Sequence, residues 1–174
     1  MAADFEKIKA SAIKSIAEKM CVAARTAPKA KGMDNLVITI AEKKDKDMLA
    51  SKMLSMGKKL SRPGFIRDSA NIKTAEVVVL VGTKSSPIGL NCGFCGEPDC
   101  ASLARKKGVC AYNSMDLGIA IGSSVSLASL FHADNRVMYS AGKAAIACGL
   151  LRGCVMAIGI PLSATGKNPF FDRA

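Results

Sequence analysis

The chain has 174 residues, 49% hydrophobic and 22% charged, which is enough apolar mass for one domain with a real core and excludes a disordered chain. Aromatics are 5% with no Trp, so Ile, Leu, Val, Ala and Met must build that core, and a net charge of +11 favours an anionic partner. No apolar run reaches the ~18 residues of a membrane span, so no membrane partner is expected.

From the N-terminus, Phe5, Ile8, Ala12, Ile13, Ile16, Ala17 and Met20 recur at spacings of three and four. They predict an amphipathic helix that stops near "TAP", because Pro28 disfavours helix in the residue before it. No secretory pattern is visible in this stretch, so the expected location is cytoplasmic. "NLVITIA" (Asn35 to Ala41) reads as a short β-branched strand. "DKDMLASKMLSMGKKL" reads as a second helix, with Asp45 and Asp47 near its start and Lys58 and Lys59 near its end, as the helix dipole prefers. "FIRDSANIKTA" predicts a third, shorter helix. "EVVVLVG" (Glu76 to Gly82) is apolar on both faces and belongs inside a covered sheet. After a cysteine-rich stretch come two helices, "SMDLGIAIGSSVSLASLF" and "RVMYSAGKAAIACGLL", then a third strand, "CVMAIGIP" (Cys154 to Pro161). Asp134 and Asn135 read as a turn and N-cap before Arg136, and Asp116 as a helix cap first and a residue lining the cofactor pocket second. The fold class expected is α/β (α+β): one domain, 1–174, with a small, mostly buried sheet flanked by helices. Three strands are few, so a further strand or a second chain should complete the sheet.

Residues 89–112 form an inserted segment. Cys92, Cys95, Cys100 and Cys110 follow C-x2-C-x4-C-x9-C. In a reducing compartment seven cysteines point to metal or redox chemistry before disulfides. A [4Fe-4S] cluster takes four thiolates from a loop that wraps it, and Gly93 and Gly96 allow the positive φ angles of such a wrap. Structural zinc also takes four thiolates, usually from two C-x2-C hooks, and only one hook exists here. Cys21, Cys148 and Cys154 fall in apolar patterns and read as small buried hydrophobes. The lone His132 reads as a surface or capping residue. No catalytic triad order, H-E-x-x-H or phosphate-loop motif is present. The basic clusters are scattered and poor in aromatics, so nucleic acid is not the expected partner. Arg105, Lys106 and Lys107, between the third and fourth cysteines, suit an acidic electron-transfer protein such as a ferredoxin.

"CGFCGEPDC" resembles the four-cysteine iron–sulfur motif of corrinoid iron–sulfur proteins, with a shorter last gap. With "AARTAPKAKGMDNL", "CAYNSMDLGIAIGS", "DNRVMYSAGKAA" and "GIPLSATGKNPFFDR", the chain resembles a prokaryotic family of ferredoxin-domain-containing proteins. A second resemblance is to the FMN-dependent nitroreductase fold. "AARTAPKAKGMDNLVITI" is similar to its helix, A-P-S-x-x-N-x-Q-P and strand, and "AIGIPLSATGKNPFFDR" to its ending. That likeness implies FMN at a homodimer interface. It places Arg25, Thr26, Lys29 and Asn35 in the first flavin-facing segment, and Lys167 and Arg173 where cations meet the phosphate. Leu36-Val37 replaces the Q-P pair, and the R-x-S-x-R anchor is absent. The expected function is that of an iron–sulfur redox protein passing electrons between a [4Fe-4S] cluster and FMN. The alternatives are a cluster-only carrier or redox sensor, and a zinc-stabilised binding protein.

Overall fold

A computed structural model describes residues 4–171. Helix α1 (Phe5–Thr26) starts at Asp4, whose carboxylate accepts the Glu6 amide at 3.3 Å, and ends at Ala27, just before Pro28. A 3-10 turn, Ala30–Gly32, leads into β1 (Leu36–Ala41). Helices α2 (Lys43–Lys59) and α3 (Pro63–Thr74) follow, the second opening on Pro63, whose fixed φ suits a first helical position. Then come β2 (Val77–Lys84), α4 (Cys100–Arg105), α5 (Ala111–Leu130), β3 (Asp134–Asn135), α6 (Tyr139–Ala147) and β4 (Cys154–Ser163).

The strands form one antiparallel sheet in the order β1-β2-β4-β3. Val77 through Thr83 are all buried. A strand covered on both faces reads as a continuous apolar run in an antiparallel sheet as well as in a parallel one, because coverage, not strand direction, sets the pattern. Alternate residues face opposite layers. Val77, Val79 and Val81 pack with Ile160 and Leu162 against α1 and α5. Val78 and Leu80 pack with Leu49, Met53 and Ile72 against α2, α3 and α6.

The fourth strand is the one that the sequence pattern missed. Asp134 and Asn135 are a two-residue strand paired with Ser163 and Leu162, not the turn and N-cap expected of them. Two residues carry no readable period. Helix α6 starts later, with Met138 at its N-cap. Asp116 is likewise not a cap: α5 begins at Ala111 with Cys110 at its N-cap, so Asp116 lies inside the helix.

Helix α6 lies tightly on β4, because Gly142 has no side chain where it faces the Ala157 carbonyl. A methyl there would overlap that backbone oxygen. Ala ordinarily favours a helix over Gly by about 1 kcal/mol, but a clash with backbone cannot relax by a rotamer change. Gly142→Ala should therefore lower stability by about 2 kcal/mol or more. Gly64→Ala in α3, with nothing within 4 Å of the added carbon, should be neutral or stabilising. Denaturant midpoints of the two variants check this.

Candidate functional site

The chain leaves the sheet at Lys84 and returns at Cys110, the N-cap of α5, so the cysteine segment is slung between two packed elements. Cys92, Cys95, Cys100 and Cys110 line one cavity, together with Ile88, Leu103 and Tyr112. All four are free thiols, grading from exposed Cys92 to buried Cys110. The wrap has the expected backbone: Gly93 and Gly96 have φ of 73° and 83°, and the Gly96 amide donates to the Gly93 carbonyl at 2.9 Å.

Asn91 was not legible as part of the site. Its side-chain oxygen accepts the Cys100 amide at 2.9 Å, and its own amide donates to Cys100 Sγ at 3.4 Å. This reciprocal clasp closes the loop that carries Cys92 and Cys95. Asn91 has φ of 49°, a conformation Asn tolerates better than most residues, and that preference is the only local signal for it. Asp99 caps α4 by accepting the Ser102 amide at 2.6 Å. That amide and then the Ser102 hydroxyl hold its carboxyl below the usual carboxylate value. Lys106 pairs with Glu97 at 2.9 Å.

The basic turn after α1 sits against this segment. Ala30 packs on the small cluster of Ile88, Leu103 and Cys110. Its amide donates to Asp116 Oδ1 at 3.1 Å, and Lys31 Nζ donates to the Ile88 carbonyl at 3.2 Å. Of the residues that the nitroreductase likeness singles out, Arg25 pairs with Asp34 at 2.5 Å and donates to the Leu36 carbonyl at 3.2 Å. Lys29 Nζ donates to the carbonyls of Ala24, Arg25 and Ala27, closing the end of α1. Thr26 donates its hydroxyl to the Val22 carbonyl at 3.0 Å. Asn35 has a buried side-chain Nδ2 with no hydrogen-bond partner. Lys167 lies in the closing segment after β4, and Arg173 lies outside the described residues.

Asn113 is a further residue that the sequence reading passed over. It is fully buried on α5, its Oδ1 accepts the Ser86 amide at 2.8 Å, and its Nδ2 has no partner. Its signal is faint: a polar side chain three residues after Cys110, on the same helix side as Asp116. His132 has φ of 55° just beyond α5, where a left-handed residue ends the helix. Cys154 is buried as expected, whereas Cys21 and Cys148 are only half-buried; desolvation still pushes all three thiols up. No helix among the described residues is long and apolar enough to cross a membrane.

This architecture is that of the nitroreductases. The FMN-dependent nitroreductase NfnB of Mycobacterium smegmatis, solved with NADPH, superposes with a TM-score of 0.62 at 10% identity, over 92% of this chain and 84% of that one. Nitroreductase CinD of Lactococcus lactis, solved with nicotinic acid, gives 0.61 at 13% identity, over 91% and 84%. At such identities the likeness establishes the fold alone. In sequence, residues 106–173 match the family described as an uncharacterized protein containing a ferredoxin domain (DUF2148). An uncharacterized protein of Archaeoglobus fulgidus is 37% identical over 171 residues, covering 93% of this chain and 92% of its own. The chain belongs to this ferredoxin-domain family.

The Arg25–Asp34 pair makes the basic turn sensitive to acid. Partial burial pushes the Asp34 carboxyl up, but hydrogen bonds from Arg25 and the Leu36 amide outweigh it and hold it below 3.8. Its contribution to folding is complete above the unfolded value and is lost as pH falls through the lower folded one. Both partners are partly exposed, so Asp34→Asn should cost about 1 kcal/mol or less at neutral pH. The difference from the parent should vanish as pH falls below about 4, as paired denaturation curves would show.

Proposed function

We propose that the chain is an iron–sulfur redox protein in which Cys92, Cys95, Cys100 and Cys110 hold one [4Fe-4S] cluster that works with a bound FMN. The observation that carries this reading is the convergence of the four thiols on one cavity. The donor set fits the group. A cubane takes one thiolate per iron, so its ligands spread around a large object. A zinc ion needs its sulfurs about 2.3 Å from a single point. Structural zinc usually takes its thiolates from two C-x2-C hooks, and this segment has one, which favours the cluster over zinc.

A cluster moves single electrons and a flavin holds one or two, so the pair couples one-electron supply to two-electron chemistry. The chain's own residues supply the setting. The Asn91 amide donates to Cys100 Sγ, the kind of hydrogen bond that tunes a thiolate ligand. Cys110 sits at the N-terminus of a 20-residue helix, whose dipole favours negative charge there. Ile88, Leu103 and Tyr112 limit water on the inner side.

The flavin half rests on the fold, on the packing of Ala30 against the cysteine segment, and on Asn35. A buried amide donor without a partner is costly, and a flavin ring edge offers acceptors for it. Arg25 and Lys29, as they are engaged, serve the turn. The nitroreductase likeness gives the phosphate to Lys167 and Arg173, with Thr26 beside the turn. Those engaged cations favour the second reading, a cluster-only carrier. We further propose a homodimer along α5. That helix has one charged residue, Asp116, which is buried, while Met115, Gly118, Ile119, Gly122 and Ser126 stand exposed along one side.

Protein purified without oxygen should show broad visible absorption that dithionite bleaches, with flavin bands superimposed. A colourless protein would reject the cluster. Cys95→Ser should lose bound iron, and a full iron content would overturn the ligand assignment. Asn35→Ala should weaken FMN affinity about tenfold, the size of one lost hydrogen bond, in a fluorescence titration. Unchanged affinity would remove Asn35 from the flavin site.

A further inference from the structure

Of the four cysteines that line the cavity, Cys92 is the one exposed to solvent. Three apolar side chains stand exposed in this segment: Phe94 at 68%, Leu90 at 44% and Val109 at 36%. Phe94 is held in place, its ring stacked on Tyr112 with centroids 5.9 Å apart and planes at 24°. Tyr112 itself lines the cavity. Beyond that stack Phe94 stays exposed, and with Leu90 and Val109 it puts apolar surface beside the cavity.

Cations border the same mouth. Lys106 pairs with Glu97, which lines the cavity, so its ammonium is fixed at the rim. Arg105 donates to the neutral Ser102 hydroxyl at 2.8 Å and keeps its full charge. Lys107 follows on a left-handed turn with φ of 52°. The two carboxylates of the segment are engaged locally, Glu97 by Lys106 and Asp99 by the Ser102 amide. Three cations against two carboxylates leave the rim one net positive charge, before the charge of any bound cluster is counted, on a chain whose overall charge is +11.

We propose that this rim is the docking surface for an acidic electron-transfer protein, with Phe94 at its apolar centre and Arg105, Lys106 and Lys107 as its cationic lip. The proposal rests on the iron–sulfur reading of the four cysteines. An apolar centre with a charged border is the anatomy of a protein–protein contact. Its small extent suits the brief encounters of electron carriers, which complementary charge speeds. Nucleic acid fits less well. A strand needs successive rings on a continuous basic track, whereas Phe94 and Tyr112 stack on each other and the remaining cations are dispersed over α1, α2, α3, α6 and the loops.

The test uses the cluster-loaded protein and oxidised plant-type ferredoxin, an acidic [2Fe-2S] protein, in isothermal titration at low and moderate salt. Binding should weaken with salt. Arg105→Glu with Lys107→Glu should weaken it at least tenfold, and Phe94→Ala severalfold. Lys44→Glu with Lys52→Glu on α2 makes the same change of net charge and should stay within about threefold of the parent. Carbodiimide cross-links to ferredoxin carboxylates should fall on Lys106 and Lys107. Equal losses from the two charge reversals would overturn the proposal, as would absent binding at low salt or displacement of ferredoxin by a single-stranded oligonucleotide. Iron content and dithionite bleaching are read on every sample. A parent without iron sinks the cluster reading itself, while an intact cluster with an insensitive rim sinks the docking surface alone.

Discussion

Seven successive residues of β2, Val77 through Thr83, have no side facing water, and the rest of the molecule is arranged around that constraint. Burying both faces of one strand needs two covering layers. Helices α1 and α5 supply one, and α2, α3 and α6 the other. The covered strand ends at Lys84, and the next long covering helix begins at Ala111. The segment between them adds only the short helix α4 and a small apolar cluster of its own. A span anchored at both ends by packed elements can carry a large group without having to fold independently. Cys110 belongs to the fixed end, and Cys92 to the outer end near solvent.

The same layout joins the two halves of the proposed chemistry. The turn after α1 is held against the cysteine segment through Ala30, Lys31 and Asp116, across 86 residues of sequence in the case of the Ala30–Asp116 bond. Rigid contact between the two segments is what an electron path between a cluster and a flavin requires. The outward side of the segment is polarised differently, with cations and an ordered aromatic ring. The inner face thus meets the fold, and the outer face stays in solvent.

Much of the fold could be read from periodicity. The major helices carry long stretches of one hydrophobic period, the long strands carry apolar runs, and Pro28 marks the end of α1, while α3 starts at Pro63, ahead of the Phe65 read from the sequence. What could not be read was short or set by distant contacts. Strand β3 has two residues, and its pairing with β4 depends on where α5 happens to end. Asp116 looked like a cap because Asp often is one, and only the tertiary structure shows its carboxylate reaching the turn near Ala30. That the four cysteines of the segment share one cavity was legible from their spacing. The flavin half was less so: a sequence displays the cations Arg25 and Lys29 but not the carboxylate and carbonyls that already hold them.

The account turns on what those four sulfurs enclose. Iron and acid-labile sulfide should be determined together, per polypeptide, on protein prepared and kept without oxygen. The cluster reading requires close to four of each. About one zinc per chain, with neither iron nor sulfide, would contradict it.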